Sequence, residues 1–140
     1  MRVMVFVHGT PDSEAGKMAS EESIAAMFEF NEELVKAGVV LAGDGLAPMS
    51  RAKKVRFSGT QRTVIDGPFA ESKEVIAGYS IWQVKSMEEA LEWVKRAPFD
   101  DGMEITLRPI QNLDDIGQLP PDLAAQGRGI RAEIDRQRKQ

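Results

Sequence analysis

The fold is indicated first by Asp66-Gly67-Pro68-Phe69-Ala70-Glu71-Ser72-Lys73-Glu74. These nine residues combine a turn-forming Asp-Gly-Pro, one aromatic side chain and four charges, and they separate two segments with the composition of β-strands. A loop that only joined two strands would need Asp-Gly or Gly-Pro and little else. We therefore expect this loop to have a role beyond connection.

The segments on either side of this loop alternate between strand and helix patterns. Ser20 is a suitable N-cap for a helix over residues 20–37, which Gly38 ends. Ser86 and Glu89 form a capping-box pattern before a second helix, which Pro98 ends. The apolar stripes predicted for these helices are Ile24, Met27, Phe28, Leu34 and Val35, and then Met87, Ala90, Leu91 and Val94. Strands are predicted at 2–7, 39–42, 52–57, 61–65, 78–84 and 103–109, and Gly43-Asp44-Gly45 is predicted to be a tight turn.

This order is β-α-β, a hairpin insertion, then β-α-β. It predicts an α+β fold, a ferredoxin-like split βαβ sandwich with both helices on one face of an antiparallel sheet. The other face is left uncovered, and Met4, Phe6 and either Trp82 or Tyr79 would make it apolar. We expect a second copy to cover it, so a homodimer is predicted.

Composition excludes several classes of function. The 140 residues carry a net charge of −4 and no cysteine, so neither a general attraction to nucleic acid nor thiolate chemistry is expected. No apolar run is long enough to span a membrane, and the N-terminus lacks a signal-peptide pattern. One histidine and scattered acids do not form a metal-ligand pattern. We expect a cytoplasmic protein with no membrane association, metal or cofactor.

The C-terminal segment differs from the rest of the chain. Residues 1–125 have a net charge of −7, whereas residues 126–140 have a net charge of +3. Gln118-Leu119-Pro120-Pro121 has the composition of a linker. The predicted organisation is a domain over residues 1–110 and a partly helical, basic extension over 111–140. Its five positive charges are too few to favour a nucleic-acid arm.

Two residues are candidates for acid–base catalysis. His8, the single histidine, follows the first strand and could act as a general acid or base, or could be hydrogen-bonded to a loop. Asp66 could transfer a proton if the neighbouring Phe69 raised its pKa, or it could cap the turn by accepting backbone N–H bonds. The sequence favours the turn cap for Asp66.

Four further residues are candidates for substrate binding. Asn31 falls within the apolar stripe of the first helix, so its amide is expected to bond to the sheet or to face a polar pocket. Arg108 could clamp an anion on the last strand or pair with Glu104. Phe69 is expected to be a buried plug for the loop, and Asp44 is a further candidate within its turn.

The segment 66–74 resembles the DGPF motif of the YCII-related family. Supporting matches are Phe30-Asn31-Glu32-Glu33-Leu34, Ala37-Gly38, Gly43-Asp44-Gly45-Leu46, Gly78-Tyr79 and Arg108-Pro109. The resemblance covers residues 1 to about 110 and leaves the basic extension outside. It implies a dimeric α+β barrel made of two ferredoxin-like units, a pocket between helices and sheet, and an enzyme role.

This chain departs from the enzyme-like relatives in two places. Those relatives carry a His on the first helix and an Asp before a Pro after the second helix. Here Met27 stands near the first position and Ala97 precedes Pro98, so that acid–base pair is not transferred. Members of the DGPF branch are also associated with extracytoplasmic-function sigma factors, which implies a regulatory context.

Two hypotheses follow. The first is a small-molecule enzyme that transfers a proton in a pocket at the sheet face, lined by His8, Asn31, Asp66 and Arg108. The second is a non-catalytic module for ligand binding or dimerisation, linked to a sigma factor. Convergence of His8, Asp66 and Arg108 on one cavity would favour the first.

Overall fold

Six strands and four helices lie within the residues that the computed structural model describes, 1–70 and 74–139. The strands are β1 (Arg2–His8), β2 (Val40–Gly45), β3 (Lys53–Ser58), β4 (Gln61–Asp66), β5 (Ile76–Gln83) and β6 (Ile105–Pro109). The helices are α1 (Pro11–Glu14), α2 (Glu21–Lys36), α3 (Met87–Lys95) and α4 (Pro121–Arg138). The chain divides into two compact units, Met1–Pro109 and Ile110–Gln140.

The main sheet has four strands in the order β2-β5-β1-β6, and every neighbouring pair is antiparallel. β3 and β4 form a separate two-stranded hairpin between β2 and β5. The core contains Val3 and Val5 of β1, Trp82 of β5, Phe30 and Leu34 of α2, and Ala90 of α3. The predicted fold class is confirmed: this is an α+β, ferredoxin-like sandwich with a hairpin insertion, in which α2 and α3 cover one face of the sheet.

The capping residues act largely as predicted. The Ser20 hydroxyl accepts a hydrogen bond from the Ser23 N–H at 3.1 Å, and Gly38 follows α2 with a positive φ of 72°. At α3, Ser86 Oγ accepts from the Glu89 N–H at 3.2 Å. The Glu89 carboxylate, however, accepts from the N–H of Lys85 at 2.6 Å, so the return bond of the predicted capping box goes one residue further back.

The buried stripes of both helices agree with the prediction only in part. Phe30 and Leu34 are buried on α2, whereas Phe28 and Val35, expected in the stripe, are exposed. On α3, Leu91 is exposed, and Trp93 instead packs edge-on against Phe30 with ring centres 6.4 Å apart. Met27, Met87 and Val94 pack against the core as predicted. The prediction was wrong for Phe28, Val35 and Leu91 because each helix has more apolar residues than the arc that faces the sheet, and periodicity alone does not select among them.

The segment Gly43-Asp44-Gly45 is not a turn. It continues β2, with Gly43 opposite Ser80 and Asp44 opposite Tyr79 of β5. A side chain at position 43 would lie 3.1 Å from the Ser80 hydroxyl oxygen, so glycine here reflects close packing within the sheet. The glycine that suggested a turn is therefore needed because β2 packs closely against Ser80 of β5 at this position.

Successive residues of β5 point to opposite faces, which decides between Trp82 and Tyr79. Trp82 lies opposite Val3 and belongs to the core, whereas Tyr79 lies opposite Phe6 on the face away from the helices. The apolar open face therefore contains Met4, Phe6, Tyr79 and Ile81, and does not contain Trp82.

The turn after β4 is held by the chain before β3. The Gly67 N–H donates to the Ala52 carbonyl at 2.8 Å, and a Cβ on Gly67 would collide with the main-chain oxygen of Met49. Residues 71–73 of the loop that follows lie outside the described residues.

The C-terminal unit contains a 3₁₀ turn, Leu113–Ile116, followed by α4. Leu113 packs against Gly127 of α4, where a Cβ would lie 3.2 Å from its methyl groups. In the described part of the chain, no helix combines the length and apolar character needed to cross a bilayer.

Candidate functional site

A cleft of about 470 Å³ lies between the sheet and the two covering helices. Its floor is formed by alternate residues of the central strands, among them Val5, Val7 and Ser80. Its walls come from α2 and α3, and Ala97 and Phe99 close it beyond the end of α3. The volume lies within the range of about 300–1,000 Å³ that is usual for small-molecule sites.

Few polar side chains face this apolar cleft. The Ser80 hydroxyl lines it and donates to the Ala42 carbonyl at 3.1 Å, so its oxygen can still accept a hydrogen bond. Asn31 lines it from α2 and is exposed, so its amide lies at the solvent side and is not buried in the apolar stripe as predicted.

Trp82 supplies an unusual polar group beside the cleft. The residue lines the cleft and is only 4% exposed, and its indole N–H has no hydrogen-bond partner among the described residues. Buried N–H groups are nearly always paired, because leaving one unpaired costs about 1–3 kcal/mol. The sequence left open whether Trp82 or Tyr79 lies on the helix side, so this group was not predicted.

The open face of the sheet contains two polar pairs. Asp44, Tyr79, Phe6 and Thr106 form a row across β2, β5, β1 and β6. The Tyr79 hydroxyl donates to the Asp44 carboxylate at 2.8 Å. Although Asp44 and Tyr79 also border the cleft, their register places both side chains on the opposite face of the sheet.

His8 lies at the end of β1 and forms the second pair on the open face. Its Nε2 is 2.6 Å from the Thr106 hydroxyl oxygen. His8 also lines a polar cavity of about 290 Å³ together with Glu74 and Glu104. The environment of His8 thus contains one hydroxyl partner and two carboxylates in the same cavity.

Asp66 and Phe69 lie at the hairpin. Asp66 is exposed, and its carboxylate accepts from Lys53 Nζ at 2.6 Å across the β3–β4 pair. Within the described part of the chain, the structure shows this ion pair for the Asp66 carboxylate, and not the predicted hydrogen bonds from backbone N–H groups of the turn. Phe69 is half-buried, with Lys54 Nζ 4.2 Å from its ring centre.

The six predicted site residues do not all line one cavity of this chain, although Asn31 and Asp44 both border the cleft. Arg108 is exposed on β6, opposite Met4 on the open face, whereas Asn31 is on α2 across the sheet. Neither Asp66 nor Arg108 lines the cleft or the His8 cavity. Among residues 1–70 and 74–139, no three His, Asp or Glu side chains cluster closely enough to hold a metal ion. The individual roles given to His8, Asp66, Asn31, Arg108, Phe69 and Asp44 stay predictions.

Comparison with protein families matches the sequence of this chain to a known domain. The sequence model of the YCII-related domain matches residues 1–112, which is most of the chain. The chain belongs to the YCII-related family. Within this YCII-related chain, the match includes the whole cleft, the His8 cavity and the hairpin.

One sequence relative and one solved structure are also similar to the YCII-related chain. The uncharacterized protein R00369 of Rhizobium meliloti (strain 1021) is 30% identical over 79 residues. That match spans 56% of this chain and 64% of the relative, which is less than two thirds of its length. The 5-chloro-2-hydroxyhydroquinone dehydrochlorinase of Burkholderia phenoliruptrix AC1100, solved with 2,5-dihydroxybenzoquinone, is 15% identical. The likeness covers 82% of this chain and 99% of that one, with a TM-score of 0.44.

Proposed function

We propose that this YCII-related protein binds a small organic molecule in the cleft between its sheet and helices. The observation that carries the proposal is the apolar cleft of about 470 Å³ with the buried, unpartnered indole N–H of Trp82 at its wall. An apolar cleft with a few fixed polar groups is the usual form of a small-molecule site. The ligand class that fits is a mainly apolar molecule with one hydrogen-bond acceptor, such as a carbonyl or carboxylate.

A thermal-shift screen of aromatic carbonyl and carboxylate compounds tests this proposal. Ala97 lines the cleft, so Ala97→Leu should fill part of it and abolish the shift that a hit produces with the unsubstituted protein. Ala25→Leu is the matched control, because Ala25 is exposed on α2 and does not line the cleft. Loss of the shift in both variants, or in neither, would argue against the cleft as the binding site.

Acid–base catalysis is a second candidate function, and His8 is its best-supported residue. The specific observation is the polar cavity that His8 shares with Glu74 and Glu104, since carboxylates can orient an imidazole for proton transfer. Once a substrate is identified by turnover, His8→Gln should abolish activity and Asp66→Ala should leave it nearly unchanged. The reason is that the Asp66 carboxylate pairs with Lys53 in solvent. A large loss of activity in Asp66→Ala would instead identify Asp66 as the acid–base group.

Assembly and regulation complete the proposal. The open sheet face of Met4, Phe6, Tyr79 and Ile81 is half-buried and apolar, which supports a homodimer that pairs two sheets. The DGPF branch and the sigma-factor link are expected from the family resemblance, and the cytoplasmic location is expected from the composition. If the protein is not an enzyme, the alternative function is a ligand-binding or dimerisation module in that regulatory context.

A further inference from the structure

The β3–β4 hairpin stands apart from the main sheet. It forms its own two-stranded sheet, and all of its strand residues except Ile65 are exposed. An isolated two-stranded hairpin is at best marginally stable in water and needs a hydrophobic neighbour. Some surface outside the hairpin is therefore expected to cover it.

One face of this hairpin is apolar. Val55 lies directly opposite Val64, and Phe57 lies beside them on the same face, opposite Arg62. Phe57 is 69% exposed and Val64 is 65% exposed. The opposite face is polar, with Arg56 opposite Thr63 and Ser58 opposite Gln61. The hairpin thus offers one apolar strip.

Helix α2 has a complementary groove. Phe28 and Val35, two turns apart, are each 63% exposed, and with Asn31, Glu32 and Lys36 they line a depression of about 400 Å³. Side chains separated by seven residues lie on the same side of a helix. Both the apolar strip and this groove are exposed in the same chain, so the hairpin does not cover the groove of its own subunit.

The charges of the two surfaces are opposite. The hairpin, Lys53–Asp66, has four basic residues and one acid, and Arg62 stacks on Phe57 with its guanidinium carbon 4.4 Å from the ring centre. Helix α2 has five acidic residues and one base, and both Glu32 and the base, Lys36, line the groove itself. Opposite charge around a small apolar centre is the usual pattern of a specific protein contact.

We propose that the hairpin of a second copy of this chain docks its Val55–Val64–Phe57 face into the Phe28–Val35 groove of α2. Because each copy offers one hairpin and one groove, a two-fold pair satisfies both surfaces at once. Lys53 and Arg62, the positive residues on the docking face of the hairpin, then lie near Glu29 and Glu32 of the partner helix.

Docking at this position completes the ligand site. The groove and the cleft share Asn31 and Val35, so a hairpin in the groove lies over the mouth of the cleft. Phe57 of one copy then contributes an apolar wall to the cleft of the other. This last step rests on the proposed function, whereas the docking contact itself does not require a ligand.

Because the chain lacks cysteine, engineered disulfides can test the contact directly. Two full-length variants of different tag length, Phe57→Cys and Val35→Cys, are mixed and oxidised, and mixed dimers are measured on non-reducing gels. With protein at about 10 μM, an effective concentration near 1 mM in the docked pair makes crosslinking roughly a hundredfold faster than random collision. Thr63→Cys, on the polar face of the same hairpin, is the matched control and should crosslink to Val35→Cys only at the collision rate.

Three results would overturn the proposal. One is equal crosslinking of Phe57→Cys and Thr63→Cys, and the second is no crosslink above the collision rate. The third is a fast disulfide within a single chain that carries Val35→Cys and Ile130→Cys, which would identify α4 as the occupant of the groove. If the Phe57–Val35 disulfide forms and no compound stabilises the protein in the thermal-shift screen, the docking contact stands and the ligand-binding function fails.

Discussion

At the residue scale, Gly67 has no room for a side chain. A Cβ at this position would collide with the main-chain oxygen of Met49, and its N–H is already bonded to Ala52. The glycine of the Asp66-Gly67-Pro68 turn is therefore required by packing against the segment before β3. This gives the motif a structural role that does not depend on catalysis.

Gly67→Ala should lower the free energy of unfolding by about 3 kcal/mol, because backbone must move to admit the methyl group. Gly45→Ala is a control with no atom within 4 Å of the added Cβ and should change it by less than about 0.5 kcal/mol. Urea unfolding of both variants measures the difference. Equal values would mean that the Met49 contact relaxes at little cost.

The contribution of the Trp82 indole N–H to ligand affinity can be measured separately from the packing of its ring. Trp82→Phe removes the unpaired donor and keeps most of the packing, so we expect stability to fall by less than about 1.5 kcal/mol. The affinity for an acceptor-bearing ligand should fall by about tenfold, which corresponds to the loss of one hydrogen bond. Titration calorimetry measures this loss, and unchanged affinity would show that the ligand does not use the indole.

Several of these residue details could not be obtained from sequence. The choice between Trp82 and Tyr79 depends on how β5 pairs with β1, because these two aromatic residues are three positions apart and lie on opposite faces in either phase. The unpaired indole is a property of its surroundings and has no sequence signal. By contrast, Ser20 and Gly38 act through local backbone chemistry, and for that reason both were predicted correctly.

At the element scale, helix α2 presents apolar side chains to two different surroundings. Phe30 and Leu34 pack against the sheet, while Phe28 and Val35 face outward. The hydrophobic pattern identified the helix and its ends, and it could not show which apolar residues the sheet covers. Strand β2 was predicted too short for a related reason: pairing with β5 overrides the turn preference of Gly43-Asp44-Gly45.

Two alanine substitutions of the same residue type test this division of α2. Phe30→Ala should destabilise the protein by about 3–5 kcal/mol, as expected for a buried phenylalanine. Phe28→Ala should cost less than about 1 kcal/mol at protein concentrations too low for association, because its ring is mostly solvated. Denaturant unfolding monitored by fluorescence compares them, and similar losses would contradict the observed rotation of the helix.

At the scale of the whole molecule, the sheet separates the cleft from the apolar open face. The cleft and its helices lie on one face, and the Met4–Phe6–Tyr79–Ile81 surface lies on the other. The alternation of the strands predicted a two-faced sheet, and the topology followed from the order of elements. The sequence could not predict that His8 and Asn31 lie on opposite sides, since that requires the register of β1 and the rotation of α2.

Phe6→Lys should weaken the proposed sheet-face homodimer, because a charge in the centre of an apolar interface must be desolvated without a partner. Met18→Lys is the control, since Met18 is exposed outside the sheet and should leave the assembly unchanged. Sedimentation velocity reads the molecular mass. A dimer that is as stable in Phe6→Lys as in the unsubstituted protein would exclude this face as the interface.

Strand β5 is the wall between these two faces, with Gly78, Ser80 and Trp82 on one side and Tyr79 and Ile81 on the other. An insertion or deletion of one residue within it would turn every later side chain to the opposite face. Upstream of Ile81, an insertion would move Trp82 out of the core and put Ile81 in its place, whereas a deletion would put Gln83 there. Either change would disrupt both faces of the sheet. Substitutions in β5 can therefore be made one face at a time. Length changes are best introduced at the tip of the hairpin, around Gly59, where an added Cβ has no neighbouring atom within 4 Å.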